Sequence, residues 1–213
     1  MPRDPRKQQK ALMKKRSKHK AALQSKARQE ASVPSSPQAI IRRARAYPVL
    51  ECWINANWQT DELGLVEILL ARQQPDGDIC FGVYLVDRLC LGLKNTFANA
   101  DFSRSRYQNE ILDRVFHGRE PQACPIELAH QMIYASIEYA ARFGFQPNKD
   151  FALSQYLLAP RGELEETYQL TFGRNGKPFF VAGPHDNVAQ ILRQLEKAAG
   201  PGNYDYMAPF SVS

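Results

Sequence analysis

The sequence lacks the patterns that mark a membrane segment or a nucleotide-binding loop. No stretch of it approaches the roughly 18 consecutive apolar residues of a spanning helix. Its basic N-terminus has no apolar core of the kind that a secretion signal needs. There is no G-x-G-x-x-G after a predicted strand and no Walker-type loop. These absences predict a cytoplasmic protein with no membrane contact and no cofactor.

Cysteine is scarce and scattered. The four cysteines, Cys52, Cys80, Cys90 and Cys124, form no C-x-x-C pair. The first three lie among apolar residues, where a free cysteine acts as a small hydrophobic side chain. The sequence therefore predicts reduced thiols, as expected in the cytoplasm.

Histidine is equally sparse, and few residues are available as partners for a metal or a nucleophile. They are His117, Cys124, His130 and His185. A zinc site uses closely spaced pairs so that one element presents two ligands together, and none of these spacings does so. We expect no metal, while a Cys–His catalytic pair assembled in space stays open at this point.

What the chain has in excess is positive charge in one place. Residues 1–45 carry fourteen Lys and Arg against Asp4 and Glu30, a net charge of +12, whereas residues 47–213 sum to −6. Residues 6–31 contain no Gly or Pro and few large apolar side chains, which is typical of disorder or nascent helix. A Ser/Pro-rich linker follows at 32–37. We predict a largely disordered basic arm over 1–46 and a single domain over 47–213.

Positive charge concentrated in this way is typical of a segment that binds polyanions. Lys and Arg release counterions from nucleic acid, which gives affinity without sequence readout. No aromatic residue precedes Tyr47, so the arm offers no stacking on unpaired bases. We predict sequence-independent contact with RNA, the ribosome or DNA, and possible contact with a protein partner. The residues assigned to nucleic-acid binding are Lys7, Lys10, Lys14, Lys15, Arg16, Lys18, Lys20, Lys26, Arg28, Arg42, Arg43 and Arg45.

Two other interpretations of the arm stay open. It can be a solubilising extension with no partner of its own. It can also contact a membrane surface or an acidic protein, although a membrane arm needs large apolar side chains opposite its lysines, and these are missing.

The domain is predicted to be α+β, because hairpins and helices occur without a βαβ rhythm. One antiparallel hairpin spans about 65–86 and turns at Pro75-Asp76-Gly77; a second spans about 168–182 and turns at Asn175-Gly176. Packed helices are predicted over about 125–143 and 187–199. Further predictions are a strand at 49–54, a short helix at 106–116 and a last strand at 204–207. An ancient duplication of a hairpin-plus-helix unit stays open.

The most unusual sequence segment runs from Val86 to Asn95 and follows a predicted buried strand. Asp87, Cys90 and Lys94 within it allow an activated thiol beside a cation. They are also compatible with an inward-pointing Cys90 and an Asp87–Lys94 ion pair that closes a turn. An activated thiol would make the protein a hydrolase-like or nucleic-acid-processing enzyme, which is the alternative to the nucleic-acid contact predicted above. A further alternative is a protein-interaction module whose basic arm is incidental.

Other polar groups have simpler interpretations. Carboxylates cluster near predicted turns at 61–62, 76–78 and 163–166, and we expect them to be solvated. The segment 183–187 before the last helix offers backbone N–H groups to a phosphate. Asp186 as the helix N-cap would accept those same N–H groups.

Several short motifs resemble those of an uncharacterised bacterial protein family. They are the PDG hairpin motif Arg72-x-x-Pro75-Asp76-Gly77, the VDxxCLGxK segment 86–94, the helix text 134–140 with Gly144-Phe145-x-Pro147, and Gly176-Lys177-Pro178 with Gly183-Pro184. The similarity spans most of 48–206. It implies a soluble bacterial protein with a recurring domain and a basic N-terminal arm, and it implies no reaction. His185 departs from the smaller polar residue or Tyr expected at that position.

Overall fold

The computed structural model describes residues 36–165 and 167–208. The basic residues predicted to bind nucleic acid from Lys7 to Arg28, and the predicted disorder of the arm, lie outside these ranges. The compact unit of the chain begins at Pro37.

The described residues form five α-helices and seven strands, so the domain is α+β as predicted. In chain order the elements are α1 (Pro37–Arg42), a 3-10 helix (Ala44–Ala46), β1 (Val49–Asn55), β2 (Leu65–Gln73), β3 (Ile79–Asp87), β4 (Gly92–Phe102), α2 (Arg104–Phe116), β5 (Pro121–Ala123), α3 (Ile126–Ala141), α4 (Phe151–Ser154), a second 3-10 helix (Gln155–Leu157), β6 (Phe179–Val181), α5 (Val188–Ala199) and β7 (Asp205–Met207). The four helices and strands predicted at 49–54, 106–116, 125–143 and 187–199 are confirmed to within two residues.

A five-stranded antiparallel sheet in the order β4-β3-β2-β1-β5 is the centre of the domain. The first predicted hairpin is confirmed as β2 and β3, which pair from Leu65↔Asp87 to Gln73↔Ile79. Both strands are apolar on both faces because helices cover the sheet from two sides. The sheet therefore divides the core into two layers.

One layer is closed by α3 together with α1 and α4. Its buried side chains include Ile68 and Leu70 of β2, Tyr84 of β3 and Ile133 of α3, all of them fully buried. Tyr84 donates a hydrogen bond from its hydroxyl to the backbone oxygen of Ser154 (2.8 Å). This polar contact lets a large aromatic side chain fill the interior without leaving its hydroxyl unpaired.

The compact unit begins about ten residues before the boundary predicted at residue 46. Ile41 and Ala44 are buried in the layer closed by α3, so residues 37–46 belong to the domain. Arg45 donates hydrogen bonds to the backbone oxygens of Leu158 (2.8 Å) and Gln155 (3.2 Å). The basic composition of this stretch concealed two apolar residues with the spacing of a short docked helix.

The second predicted hairpin, at 168–182, does not form. Its Asn-Gly turn is present, since Asn175 and Gly176 have φ of 54° and 77° and Arg174 bridges Lys177. The segment before the turn is not a strand because Gln131 of α3 binds both backbone groups of Tyr168 through its side-chain amide (2.6 and 2.9 Å). The strand after the turn, β6, pairs in parallel with β7 instead. Because the second hairpin is absent, the domain does not consist of two duplicated hairpin-plus-helix units. The predicted last strand is confirmed as β7.

The C-terminal part builds a small separate core around Cys90. Cys90, Phe180 and Leu195 are fully buried there. The turn that follows β3 holds this part in place, because Arg88 and Leu89 accept backbone hydrogen bonds from Gly173 (3.0 Å) and Phe179 (2.9 Å). Cys90 is thus a packing residue that joins the C-terminal part to the sheet.

Candidate ligand-binding groove

The residues predicted as an activated thiol site lie near one another but do not form an accessible thiol beside a cation. Cys90 is fully buried, and burial raises the pKa of its thiol, whereas a reactive cysteine needs access and a stabilised thiolate. Lys94 pairs with Asp186 at 2.5 Å. Asp87 instead accepts N–H bonds from Leu89 (2.9 Å) and Cys90 (3.0 Å) and so builds the turn. The predicted enzyme site at these three residues is wrong, as is the Asp87–Lys94 ion pair, and the inward-pointing Cys90 is confirmed.

Burial also sets the ionisation of Asp87. The carboxyl is only 2% exposed, and desolvation raises its pKa from the ordinary 3.8 to about 6, although hydrogen bonds from three backbone N–H groups oppose the shift. A carboxylate whose oxygens are occupied by the backbone has a structural role.

The predicted phosphate contact at 183–187 is replaced by internal bonds. Asp186 accepts the N–H of Gly183 (2.8 Å) as well as the Lys94 ammonium. The N-cap is Asn187, whose side chain accepts from the N–H of Gln190 (3.1 Å), so the prediction of Asp186 as the cap is wrong by one residue. Ionised Asp186 beside these N–H groups would repel an anion.

The three histidines within the described residues do not form a site with one another. His130 is buried, and its Nε2 lies 2.8 Å from the backbone oxygen of Ala159. His117 and His185 are exposed in separate loops. Within residues 36–165 and 167–208, no group of three or more His, Cys, Asp and Glu side chains is placed to hold a metal ion.

Of the predicted nucleic-acid-binding residues, three lie in the described part. Arg42 and Arg43 are exposed on the segment that leads into β1. Arg45 is tied to the domain by its two hydrogen bonds and by a cation–π contact with Tyr156 at 5.1 Å, while Arg42 lies 5.8 Å from the same ring. The first two guanidinium groups are available to a partner, and Arg45 is in large part used internally.

A groove that sequence reasoning missed lies on the second face of the sheet. The helix α2 covers only part of this face, and a cavity of about 610 Å³ remains between α2 and strands β2 to β4. Its floor includes two cross-strand pairs of β3 and β4, Val83 with Phe97 and Phe81 with Asn99. Phe97 is 48% exposed although it is a large aromatic residue. An apolar concavity of this size with a few polar groups is the usual form of a ligand site.

One polar residue that lines this groove has a buried oxygen without a partner. Glu67 lies on β2 opposite Leu85, and among the described residues nothing hydrogen-bonds to its buried Oε2. Desolvation raises the pKa of this carboxyl, while Arg119 and His117 partly offset the effect. A lone carboxylate in an apolar wall is costly unless a hydrogen-bond donor reaches it.

The rim of the groove carries charges of both signs. Arg106 lies over the ring of Phe102 at 4.1 Å and contacts Glu110 at 3.3 Å. Arg114 is 3.9 Å from the same Glu110 carboxylate and is otherwise exposed. These two arginines share one carboxylate at the rim, and Glu67 is one of several polar residues that line the groove.

A second and more polar cavity of about 350 Å³ lies beside the turn after β3. Arg88 lines it, is only 8% exposed, and lies 5.8 Å from the ring of Trp58. Its Nε has no hydrogen-bond partner within the described ranges, and desolvation lowers its pKa. Arg174, Asp61 and Glu62 also line this cavity, so two arginines face two carboxylates and its charges largely balance.

The groove was missed because it depends on β4, which the sequence did not predict. This strand contains Lys94, Asn95, Asn99 and Asp101, which are uncommon in strands. The available signal was the alternation of Leu93, Phe97 and Phe102 with polar residues, which a bulge after Leu93 interrupts.

Comparison of the chain with protein-family models, curated proteins and solved structures gives no match. No helix over the described residues has the length and apolar content to cross a membrane. The function must therefore be argued from the residues themselves.

Proposed function

We propose that this protein is a non-enzymatic cytoplasmic protein that contacts RNA, the ribosome or other nucleic acid through its basic N-terminal arm, without sequence readout. The observation that supports it is the separation of charge: residues 1–45 carry +12, whereas residues 47–213 carry −6. Phosphate contacts by Lys and Arg release condensed counterions, and this gives affinity to any sequence. An acidic domain keeps such contact to the arm because like charges repel the polyanion elsewhere.

The start of the domain supports the same proposal. Arg42 and Arg43 are exposed near the end of the predicted arm. Ile41 beside them is buried, and Arg45 is hydrogen-bonded to the domain. The positive charge therefore continues onto a segment that is fixed to the fold. A polyanion held by the arm would meet these two arginines at the domain surface.

The test compares the full chain with a chain that begins at Pro37, using one single-stranded RNA, one duplex RNA and one duplex DNA. Binding is measured by fluorescence anisotropy across a salt series. If six to ten phosphates are contacted, the affinity of the full chain should fall by about 10³ to 10⁵ between 50 and 200 mM salt. The three nucleic acids should differ little from one another.

The shorter chain should bind weakly and with a shallow salt slope. In the full chain, replacing Arg42 and Arg43 with Gln should reduce the slope by roughly 2, because each arginine neutralises about one phosphate. Replacing Arg193 and Lys197 of α5 with Gln is the matched control, since it removes the same charge from a distant surface. Equal binding by the full and shorter chains at low salt contradicts the proposal.

A second candidate function is binding of a small apolar molecule in the groove, and Glu67 is the observation that favours it. An apolar chain would cover Val83 and Phe97, and a donor group at its end would lie beside the Glu67 carboxyl that lines the same groove. The proposed ligand class is therefore an apolar molecule with an amine or other hydrogen-bond donor.

Dodecylamine and dodecanoate separate this assignment from simple apolar adsorption, because they share a chain and differ in the end group. Titration calorimetry below their micelle concentrations should show preference for the amine. Glu67→Gln should remove the preference, whereas Phe97→Ala should weaken both ligands equally. Preference for the carboxylate would assign recognition to Arg106 and Arg114 instead and would overturn the role given to Glu67.

A further inference from the structure

Two cysteines that are far apart in sequence meet at the edge of the sheet. Cys52 lies on β1 and Cys124 directly follows β5, and their sulfur atoms are 3.5 Å apart across 72 residues. Both thiols are free. Because Trp53 pairs with Ala123, Cys52 and Cys124 are the next opposed residues, and the N–H of Cys124 donates to the oxygen of Cys52 at 3.0 Å.

This placement suits a covalent bond. Directly opposed residues of antiparallel strands have Cα atoms about 4.5–5.5 Å apart. Disulfides are found with Cα separations of roughly 4.4–6.8 Å. The two side chains already point to the same side and touch, so bond formation needs rotation about the side chains and a small approach of the sulfurs.

The two thiols differ in a way that gives them separate roles. Cys124 is partly exposed, whereas Cys52 is only 6% exposed in the layer closed by α3. The hydrogen bond between the two thiols lowers the pKa of Cys124 and raises that of the more deeply buried Cys52. Cys124 also precedes the N-terminus of α3, whose dipole favours negative charge. Cys124 is therefore the attacking sulfur, and Cys52 is the resolving one.

We propose that Cys52 and Cys124 form a reversible intramolecular disulfide by exchange with a low-molecular-weight disulfide of the glutathione type. The Cys124 thiolate attacks one sulfur of the oxidised reagent, forms a mixed disulfide and expels one reagent thiolate. Cys52 then loses its proton to water, and its thiolate attacks the Cys124 sulfur and displaces the second reagent thiolate. Two cysteine thiols are oxidised, and one disulfide reagent is reduced to two thiols.

The other two cysteines provide controls within the same chain. Cys80 and Cys90 are fully buried. Cys80 contacts the backbone oxygen of Arg72 at 3.6 Å, and Cys90 packs with Phe180 and Leu195. Neither has another cysteine as its partner, and burial raises the pKa of both thiols. They should remain reduced while the protein is folded.

The test exposes the full chain to graded ratios of oxidised and reduced glutathione. Free thiols are then alkylated in denaturant, and the intact mass and the peptide map are measured. We expect a species that has lost two hydrogens and whose map links Cys52 to Cys124, with Cys80 and Cys90 alkylated. Excess dithiothreitol should restore the original mass. The disulfide should also raise Tm, since it closes a long loop in the unfolded chain.

Single variants separate the two steps. Cys52→Ser should stop at the mixed disulfide on Cys124, and Cys124→Ser should form neither species. Cys80→Ser should behave as the wild type does. The proposal is overturned if folded wild-type protein yields only a mixed disulfide, a disulfide that includes Cys80 or Cys90, or only a disulfide between chains. The wild-type map decides this even if Cys52→Ser does not fold.

Discussion

The two faces of the central sheet differ in how completely their side chains are buried and hydrogen-bonded. On the face closed by α3, side chains such as Ile68 and Tyr84 are fully buried, and the Tyr84 hydroxyl is paired. On the face under α2, Phe97 is half exposed and Glu67 Oε2 lacks a partner among the described residues. Both faces carry a buried apolar layer, but only the second leaves a groove beside its helix. The difference locates a candidate site in a domain with no recognisable motif.

The largest expected effect tests this division directly. Ile68→Ala on the closed face should lower the free energy of unfolding by about 2–5 kcal/mol, because it opens a cavity in a packed layer. Phe97→Ala in the groove should cost less than about 1 kcal/mol, because half of the ring is already in water. Urea denaturation measures both. Equal costs would mean that the groove is part of the stabilising core.

The second effect concerns the ionisation of Asp87. Its carboxyl accepts backbone hydrogen bonds, whereas Glu67 Oε2 accepts none among the described residues. The folded state holds the Asp87 proton more tightly than the unfolded chain does. This stabilisation is therefore fully present below the ordinary pKa of 3.8 and is lost as pH rises through the folded pKa of about 6. The loss should amount to roughly 3 kcal/mol.

Asp87→Asn should remove this contribution to the pH dependence of unfolding. Asp78→Asn, an exposed carboxyl on the same hairpin, is the matched control and should leave the profile between pH 4 and 7 close to that of the wild type. Identical profiles for the wild type and Asp87→Asn would show that Asp87 titrates alike in the folded and unfolded states.

A smaller effect tests how the start of the chain joins the closed face. Arg45→Ala removes two hydrogen bonds to backbone oxygens and should destabilise the domain by about 1 kcal/mol. Arg43→Ala removes an exposed side chain and should change stability by less than about 0.5 kcal/mol. Thermal and urea unfolding of the two variants should therefore differ; the same result for both would argue against anchoring by Arg45.

The smallest effect is expected at Glu67. Burial raises the pKa of this carboxyl because desolvation opposes its charged form; Glu67→Gln removes that cost and should leave stability unchanged or increase it by under about 1 kcal/mol. Urea unfolding at pH 7 measures the change. A clear loss of stability would show that the Glu67 side chain stabilises the folded state, which would argue against a ligand-binding role.

The sequence predicted the parts of the fold that local pattern determines. Strands β2 and β3 were recognised because long apolar runs flank Pro75-Asp76-Gly77. The hairpin at 168–182 was wrong because a distant side chain, Gln131, binds the backbone of Tyr168 and replaces strand pairing. The apolar spacing of Ile41 and Ala44 was hidden by the neighbouring arginines Arg42, Arg43 and Arg45.

The sites could not be read in the same way, because they are made by contacts between distant residues. The groove requires β4 to lie beside β3, and the cysteine pair requires β5 to lie beside β1. In contrast, the inward position of Cys90 followed correctly from its neighbours Leu89 and Leu91. Local sequence thus predicts which side chains are buried better than it predicts which ones meet.

The two outer strands of the described sheet also limit how chains can associate. Strand β5 has only three residues and begins with Pro121, which cannot donate a hydrogen bond. Strand β4 is interrupted by two register shifts, and the N–H of Asn148 already occupies the oxygen of Leu93 at 3.0 Å. Short, bulged or covered margins are poor templates for strand addition. Aggregation by growth of the sheet is therefore disfavoured even though one of its faces stays partly open.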